Sequence, residues 1–180
     1  MRGRKPHISC RRTIWSHPEG AQYNRFLLTT DGSELARLAL KHISQVLAPG
    51  GSVTVVEVIS ASQILAKTTS AGFEYGGDAI LGGDLVDAMI GTKRADAETE
   101  LAAIKKELEQ MGVAHIETVI LQSIPGDAIV DEAQNQKAEI VLMSMHGCSG
   151  FRRTVLGSVA DHVLRHLDGI PVLLVHPHTK

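Results

Sequence analysis

The residue types that could do chemistry in this chain gather between Ser144 and Ser158. An apolar run, EIVLMSM, ends at Met145; His146, Gly147, Cys148, Arg152, Arg153 and the pair Gly157-Ser158 follow, and a helix-like pattern, SVADHVLRHL, begins there. A helix opening at this point leaves its first backbone N–H groups without intrahelical acceptors and carries partial positive charge, a combination suited to an anion. Glycine lets the backbone approach a phosphate closely. The Ser158 hydroxyl can cap the helix or turn toward phosphate or a bound cation. Arg152 and Arg153 could add positive charge, or form a solvated loop surface. The plainer alternative is that Gly157-Ser158 serves only as cap and close-packing residues.

Other chemistries find less support. The pattern GxxxxGK[ST] is absent, and no G-x-G-x-x-G opens a helix. His146 has no identifiable nucleophile to serve, so it reads as a loop residue rather than a general base. Cys148 is a lone thiol in a loop, and Cys10 and Cys148 form neither a disulfide framework nor a metal-ligand spacing. The histidines are scattered. No acid/base pair, nucleophile–base pair or metal cluster marks a hydrolase or kinase.

These residues need a scaffold, and the pattern of the chain supplies one. FLLTT (Phe26–Thr30) is a short strand-like run, followed by DGSELARLALKHISQVLA with apolar residues at helical spacing. Asp31 with Glu34 three residues later resembles a capping box, and Pro49-Gly50-Gly51 is expected to stop the helix. Ser52–Ile59 reads as a second strand and Thr92–Met111 as an amphipathic helix with Leu101, Ile104, Leu108 and Met111 inward, ended by Gly112. Val113–Leu121 is a third strand, Gly126–Lys137 a helix, Glu139–Met145 a fourth strand, Ser158–Leu167 a helix and Ile170–Val175 the last strand.

Alternating strands and helices predict right-handed crossovers and a five-stranded, mostly parallel sheet with helices on both faces, a doubly wound α/β fold. In such a sheet ligands bind beyond the carboxyl ends of the strands where strand order reverses. The loops after the first and fourth strands, Asp31-Gly32-Ser33 and Ser144–Ser158, are therefore the candidate site. Asp31 itself has the plainer reading of a helix cap. Ala61–Gly91 is too long for an ordinary loop and reads as a mobile flap or a partly helical insertion.

Composition narrows the classes. The chain has 180 residues, 43% hydrophobic and only 3% aromatic, so its core is expected to rest on Val, Ile, Leu and Ala. A formal net charge of −2 argues against a nucleic-acid partner. No apolar run reaches membrane-span length and no signal core opens the chain, so a cytoplasmic protein without a membrane partner is expected. Residues 1–24 are basic, with Arg2, Arg4, Lys5, Arg11 and Arg12, and lack periodicity; they read as a disordered extension ahead of one domain over residues 25–178.

From Arg25 to Pro177 the chain resembles the universal stress proteins. The resemblance is carried by FLLTTDGSELARLAL, PGDAIVDEA, EIVLMSMHG, LGSVADHVLRH and PVLLVHP. Nucleotide-binding members of that family carry Gly, two residues, Gly, nine residues, then Gly-Ser or Gly-Thr. Here the register reads Ser144, Met145, His146, Gly147, the nine residues Cys148–Leu156, and Gly157-Ser158.

The resemblance implies an adenine-nucleotide α-hydrolase-like domain that in one branch binds ATP, with Mg or Mn accompanying the nucleotide, as a sensor or regulator in stress response. It also implies a homodimer. The short apolar last strand would expose unpaired backbone as a sheet edge, and a second copy could cover it. Carried over by position, Asp31 would contact the adenosine and the backbone near Val58 would reach the base. Met143 would lie near the nucleoside, while Ser144, His146, Gly147, Gly157, Ser158 and Val159 would surround ribose and phosphates.

Ser144 and Thr29 depart from the family pattern, which has the first motif glycine at the one and often proline at the other. A left-handed backbone at Ser144 would cost roughly 1–2 kcal/mol, about a ten-fold loss of affinity, whereas an extended backbone would cost little. The substitution leaves open an ATP-independent, dimeric interaction protein of the same fold.

Overall fold

The computed structural model describes residues 22–70, 83–145 and 156–175. In chain order it comprises β1 (Tyr23–Thr30), α1 (Glu34–Val46), β2 (Leu47–Ile59), α2 (Ala61–Ser70), α3 (Gly83–Gln110), β3 (His115–Gln122), α4 (Pro125–Asn135), β4 (Ile140–Ser144), α5 (Ser158–His166) and β5 (Val172–Val175). The strands form one sheet in the order β3-β2-β1-β4-β5, with every neighbouring pair parallel. The doubly wound α/β expectation is met.

Period-two alternation along the strands sorts the core into two layers. Phe26 and Leu28 of β1, Val53 and Val55 of β2, and Ile140 and Leu142 of β4 pack with Leu40 and Ile43 of α1 and Leu101, Ile104 and Leu108 of α3. On the other face Leu27, Val56, Val141 and Met143 meet Ile129, Val130 and Ala133 of α4 and Ala160 and Val163 of α5. β1 lies at the centre and is covered on both faces, which explains its unbroken apolar run. Each fully buried Leu, Ile or Phe in these layers contributes about 1.5–3 kcal/mol of transfer free energy.

Several boundaries differ from the sequence expectation for identifiable reasons. α1 stops at Val46, ahead of Pro49-Gly50-Gly51, and those residues lie in the irregular start of β2, where the register against β1 slips between Tyr23 and Arg25. Gly51 is held so closely there that a β-carbon would sit 2.7 Å from Leu47 Cδ1 and 3.1 Å from Asn24 O.

The helix expected at Thr92 begins at Gly83, nine residues earlier, and the preceding segment also supplies α2. Where it is described, the Ala61–Gly91 stretch is thus helical. Residues 71–82 lie outside the described residues. α3 ends as anticipated, with Gly112 at a φ of +89° and Val113 N–H donating back to Leu108 O at 3.1 Å.

Candidate functional site

Strand order reverses between β1 and β4, and this is where the sheet opens. The two strands share the register Phe26↔Ile140, Leu27↔Val141, Leu28↔Leu142 and no pair beyond it. β1 continues through Thr29 and Thr30, paired with Val56 and Glu57 of β2, while β4 continues through Met143 and Ser144, paired with Leu174 and Val175 of β5. The strands part at their carboxyl ends, which is the crevice expected at a topological switch point.

The β1 side of the crevice is a tight turn. Gly32 N–H donates to Thr30 Oγ1 at 3.2 Å and Ser33 N–H donates to Asp31 Oδ1 at 3.1 Å. Gly32 has a φ of +74°, a left-handed backbone that glycine adopts without strain. α1 starts at Glu34, and Asp31 orders the turn ahead of it.

On the β4 side the backbone of Met145 does two jobs. Its N–H donates to Val175 O and its carbonyl accepts from Gly157 N–H, both at 3.0 Å. This fixes the start of α5 against the end of β4. Gly157 is the N-cap residue, with φ −62° and ψ 148°, and no side chain makes a cap hydrogen bond. The expectation that Ser158 could cap the helix is therefore corrected: it is the first helical residue and is exposed. The first intrahelical bond runs from Asp161 N–H to Gly157 O at 2.9 Å, so the amides of Ser158, Val159 and Ala160 have no acceptor within the helix. Asp161 places a carboxylate in this first turn. Arg165 donates to it at 2.8 Å, partly neutralising it and holding its carboxyl below the usual range.

Asp31, Val58, Met143, Ser144, Gly157, Ser158 and Val159 thus all lie at the carboxyl ends of β1, β2 and β4 or at the start of α5. Their side chains differ in what they can offer. The Met143 side chain is buried in the α4/α5 layer, and those of Val58 and Val159 pack against it, leaving mainly their backbone toward the crevice. Ser144 is the last residue of β4, in register with Val175, and its backbone is extended rather than left-handed. His146, Gly147, Cys148, Arg152 and Arg153 lie outside the described residues.

One acidic residue near the site was not singled out from sequence. Glu57 continues the inward row Val53, Val55 on β2, yet it is a carboxylate, 8% exposed, whose Oε2 has no hydrogen-bond partner among the described residues. Burial pushes its carboxyl up to about 7, opposed by Lys93 and reinforced by Glu100, Asp31 and Asp96. The signal was present in SVTVVEVI, where a charge occupies an apolar period-two position.

The sequence pattern of the Universal stress protein family matches residues 22–176. The chain belongs to this family. Universal stress protein MJ0531 of Methanocaldococcus jannaschii is 27% identical over 159 residues, covering 88% of this chain and 85% of that protein. Universal stress protein MJ0577 of the same organism is 28% identical over 160 residues, covering 85% and 94%. The solved structure of MJ0577 superposes with a TM-score of 0.72 over 89% of this chain and all of that one, at 26% identity. Two more distant solved structures share the fold. A universal stress protein in complex with cAMP has a TM-score of 0.56 at 20% identity, covering 87% of this chain and 98% of its own. A family protein from Arabidopsis thaliana with AMP bound has a TM-score of 0.56 at 13% identity, covering 86% and 92%.

Among the described residues no group of three or more His, Cys, Asp or Glu could hold a metal ion, and no helix is long and apolar enough to cross a membrane.

Proposed function

We propose that this universal stress protein binds ATP in the crevice between the Asp31 turn and the start of α5, and acts as a sensor or regulator in stress response. The observation that carries the reading is the parting of β1 and β4 beside a helix start with no side-chain cap. Ser158, Val159 and Ala160 offer backbone donors where a polyphosphate would sit, and the helix dipole favours negative charge there. Bound cAMP and AMP in two proteins of the same fold support an adenine nucleotide as the ligand class.

In this reading Asp31 accepts from the adenosine, and the backbone at Val58 and Met143 meets the base and nucleoside. Ser144, His146, Gly147, Gly157, Ser158 and Val159 surround ribose and phosphates. A divalent cation, Mg or Mn, would arrive with the nucleotide and neutralise phosphate charge. The Ser158 hydroxyl, exposed and not engaged as a cap, is the protein ligand that fits it. Binding is tested by a thermal-shift titration with ATP, with and without magnesium, on wild type and Gly157→Val. Stabilisation of the first and none of the second supports the site. A flat response of wild type at millimolar ATP removes the nucleotide reading.

The alternative is an ATP-independent dimeric interaction protein. It is favoured by β5, where Val172, Leu173, Leu174 and Val175 are all only half-buried at the edge of the sheet. A second copy pairing along this strand would cover them, and the same homodimer is compatible with nucleotide binding.

A further inference from the structure

Glu57 has no task in the site as described. It is an interior residue of the sheet, paired in register with Thr30 of β1 on one side and Ile120 of β3 on the other. Thr30 is followed directly by Asp31, so this carboxylate lies beneath the turn that forms one wall of the crevice. The charges that act on it are those of Lys93, Asp96 and Glu100 on α3 and of Asp31 in the β1–α1 turn. Glu100 is itself held by Arg37 of α1, through guanidinium bonds of 3.0 and 2.8 Å. Three carboxylates and one ammonium group therefore share the surroundings of a buried acid with an unsatisfied oxygen. An ionised carboxylate is costly in such a place, and the group relieves the cost by keeping a proton.

We propose that Glu57 couples nucleotide binding to proton uptake: the crevice holds its anionic ligand best when Glu57 carries a proton, and loses affinity as Glu57 ionises. The inference rests on the nucleotide reading above and specifies its regulation. A neutral Glu57 adds no like charge beneath the Asp31 turn, where the ligand's hydroxyl or amino groups would be met. It also removes a buried negative charge from the field acting on the phosphates. Because burial brings the Glu57 carboxyl to about 7, the change falls in the neutral range. The polyanion in turn raises the proton affinity of Glu57, so binding near neutral pH takes up protons. At a protein-like dielectric, one buried charge in the field of a polyanion corresponds to a roughly three- to ten-fold change in affinity after screening.

The test is the ATP dissociation constant from pH 6 to 8.5, by calorimetry, for wild type and the isosteric Glu57→Gln. The terminal phosphate of ATP titrates in the same range in both titrations, so the difference between the two proteins isolates Glu57. The expected result is a wild-type affinity that falls three- to ten-fold relative to Glu57→Gln between pH 6 and 8. Carbon-13 detection of the Glu57 carboxyl in wild type gives a second readout that needs no variant: its titration midpoint should move upward when ATP is added.

Parallel pH profiles, or a carboxyl midpoint unmoved by bound ATP, would overturn the coupling and leave nucleotide binding standing. Failure of both proteins to bind ATP at any pH would instead remove the nucleotide reading, and the coupling with it.

Discussion

A single buried acid should leave a signature on stability as well as on ligand affinity. In the folded chain Glu57 keeps its proton up to about pH 7, whereas an unfolded glutamate releases it near 4.5. The folded state therefore binds more protons between these values. Its contribution to stability is complete below about 4.5, is lost as pH rises through 7, and then levels off. The loss is at most about 3 kcal/mol. Urea midpoints measured from pH 4.5 to 8 should show wild type losing ground to Glu57→Gln through that window. Coincident curves would contradict the assignment.

Ser144 makes a second residue-scale case. Its extended position at the end of β4 means that a glycine there relieves no left-handed strain. Ser144→Gly should change ATP affinity by less than about two-fold, while weakening the strand by about 0.5–1 kcal/mol. A ten-fold gain in affinity, by the same calorimetry, would mean that the motif glycine is needed for close approach of the ligand.

Packing between elements places the candidate site, and one helix pair shows how little room it leaves. Gly126, in the first turn of α4, lies against His162 of α5: a β-carbon at Gly126 would fall 2.6 Å from His162 Cδ2. His162 Nε2 reaches Asp127 Oδ1 at 2.8 Å, and its ring stacks on His166 with centroids 4.1 Å apart. Gly126→Ala must displace this ring, and should lower stability by about 1–3 kcal/mol in denaturant unfolding. The same substitution should weaken ATP binding, because α5 carries the amides proposed to meet the phosphates. Unchanged stability would show that the ring moves aside without cost.

Most of this scale could be read from the sequence. Leu101, Ile104 and Leu108 announce the buried face of α3, and Gly112 its end. The first turns of α3 could not be read so easily. Residues 83–91 contain two glycines and few strongly polar residues, and Leu85 is left 48% exposed, so neither amphipathic contrast nor helix propensity marks them. Pro49-Gly50-Gly51 looked like a helix stop because the same residues serve turns and bulges, and only pairing with β1 distinguishes the two. Glu57 was passed over for a related reason. An alternating strand was expected to be apolar inside, and one charge did not break the pattern. Ser158 was expected as a possible cap, but capping depends on backbone dihedrals at Gly157 that composition does not disclose.

For the molecule as a whole, the order β3-β2-β1-β4-β5 decides which loops become neighbours, and it also leaves β5 at an edge. The homodimer predicted through β5 should sediment at twice the 19.3 kDa chain mass at micromolar concentration. A Lys in place of Leu173 or Leu174 should shift the equilibrium toward the single chain, since a charge on an edge strand opposes strand-to-strand association. Sedimentation of wild type as a stable single chain would remove the dimer and with it the second functional reading. The location of the crevice was legible from alternating strand and helix patterns alone, because right-handed crossovers restrict the possible topologies. Its width was not, because the divergence of β1 and β4 after Leu28 and Leu142 is a property of pairing partners rather than of any one segment.

The backbone of Met145, bonded through its N–H to the end of β5 and through its carbonyl to Gly157, has a mechanical meaning. The outermost strand and the mouth of the last helix hang from one residue, with only its two backbone torsions between them, so a tug on either is felt by the other within that residue. Traffic between a neighbouring subunit and whatever occupies the cleft would need no longer wire than that.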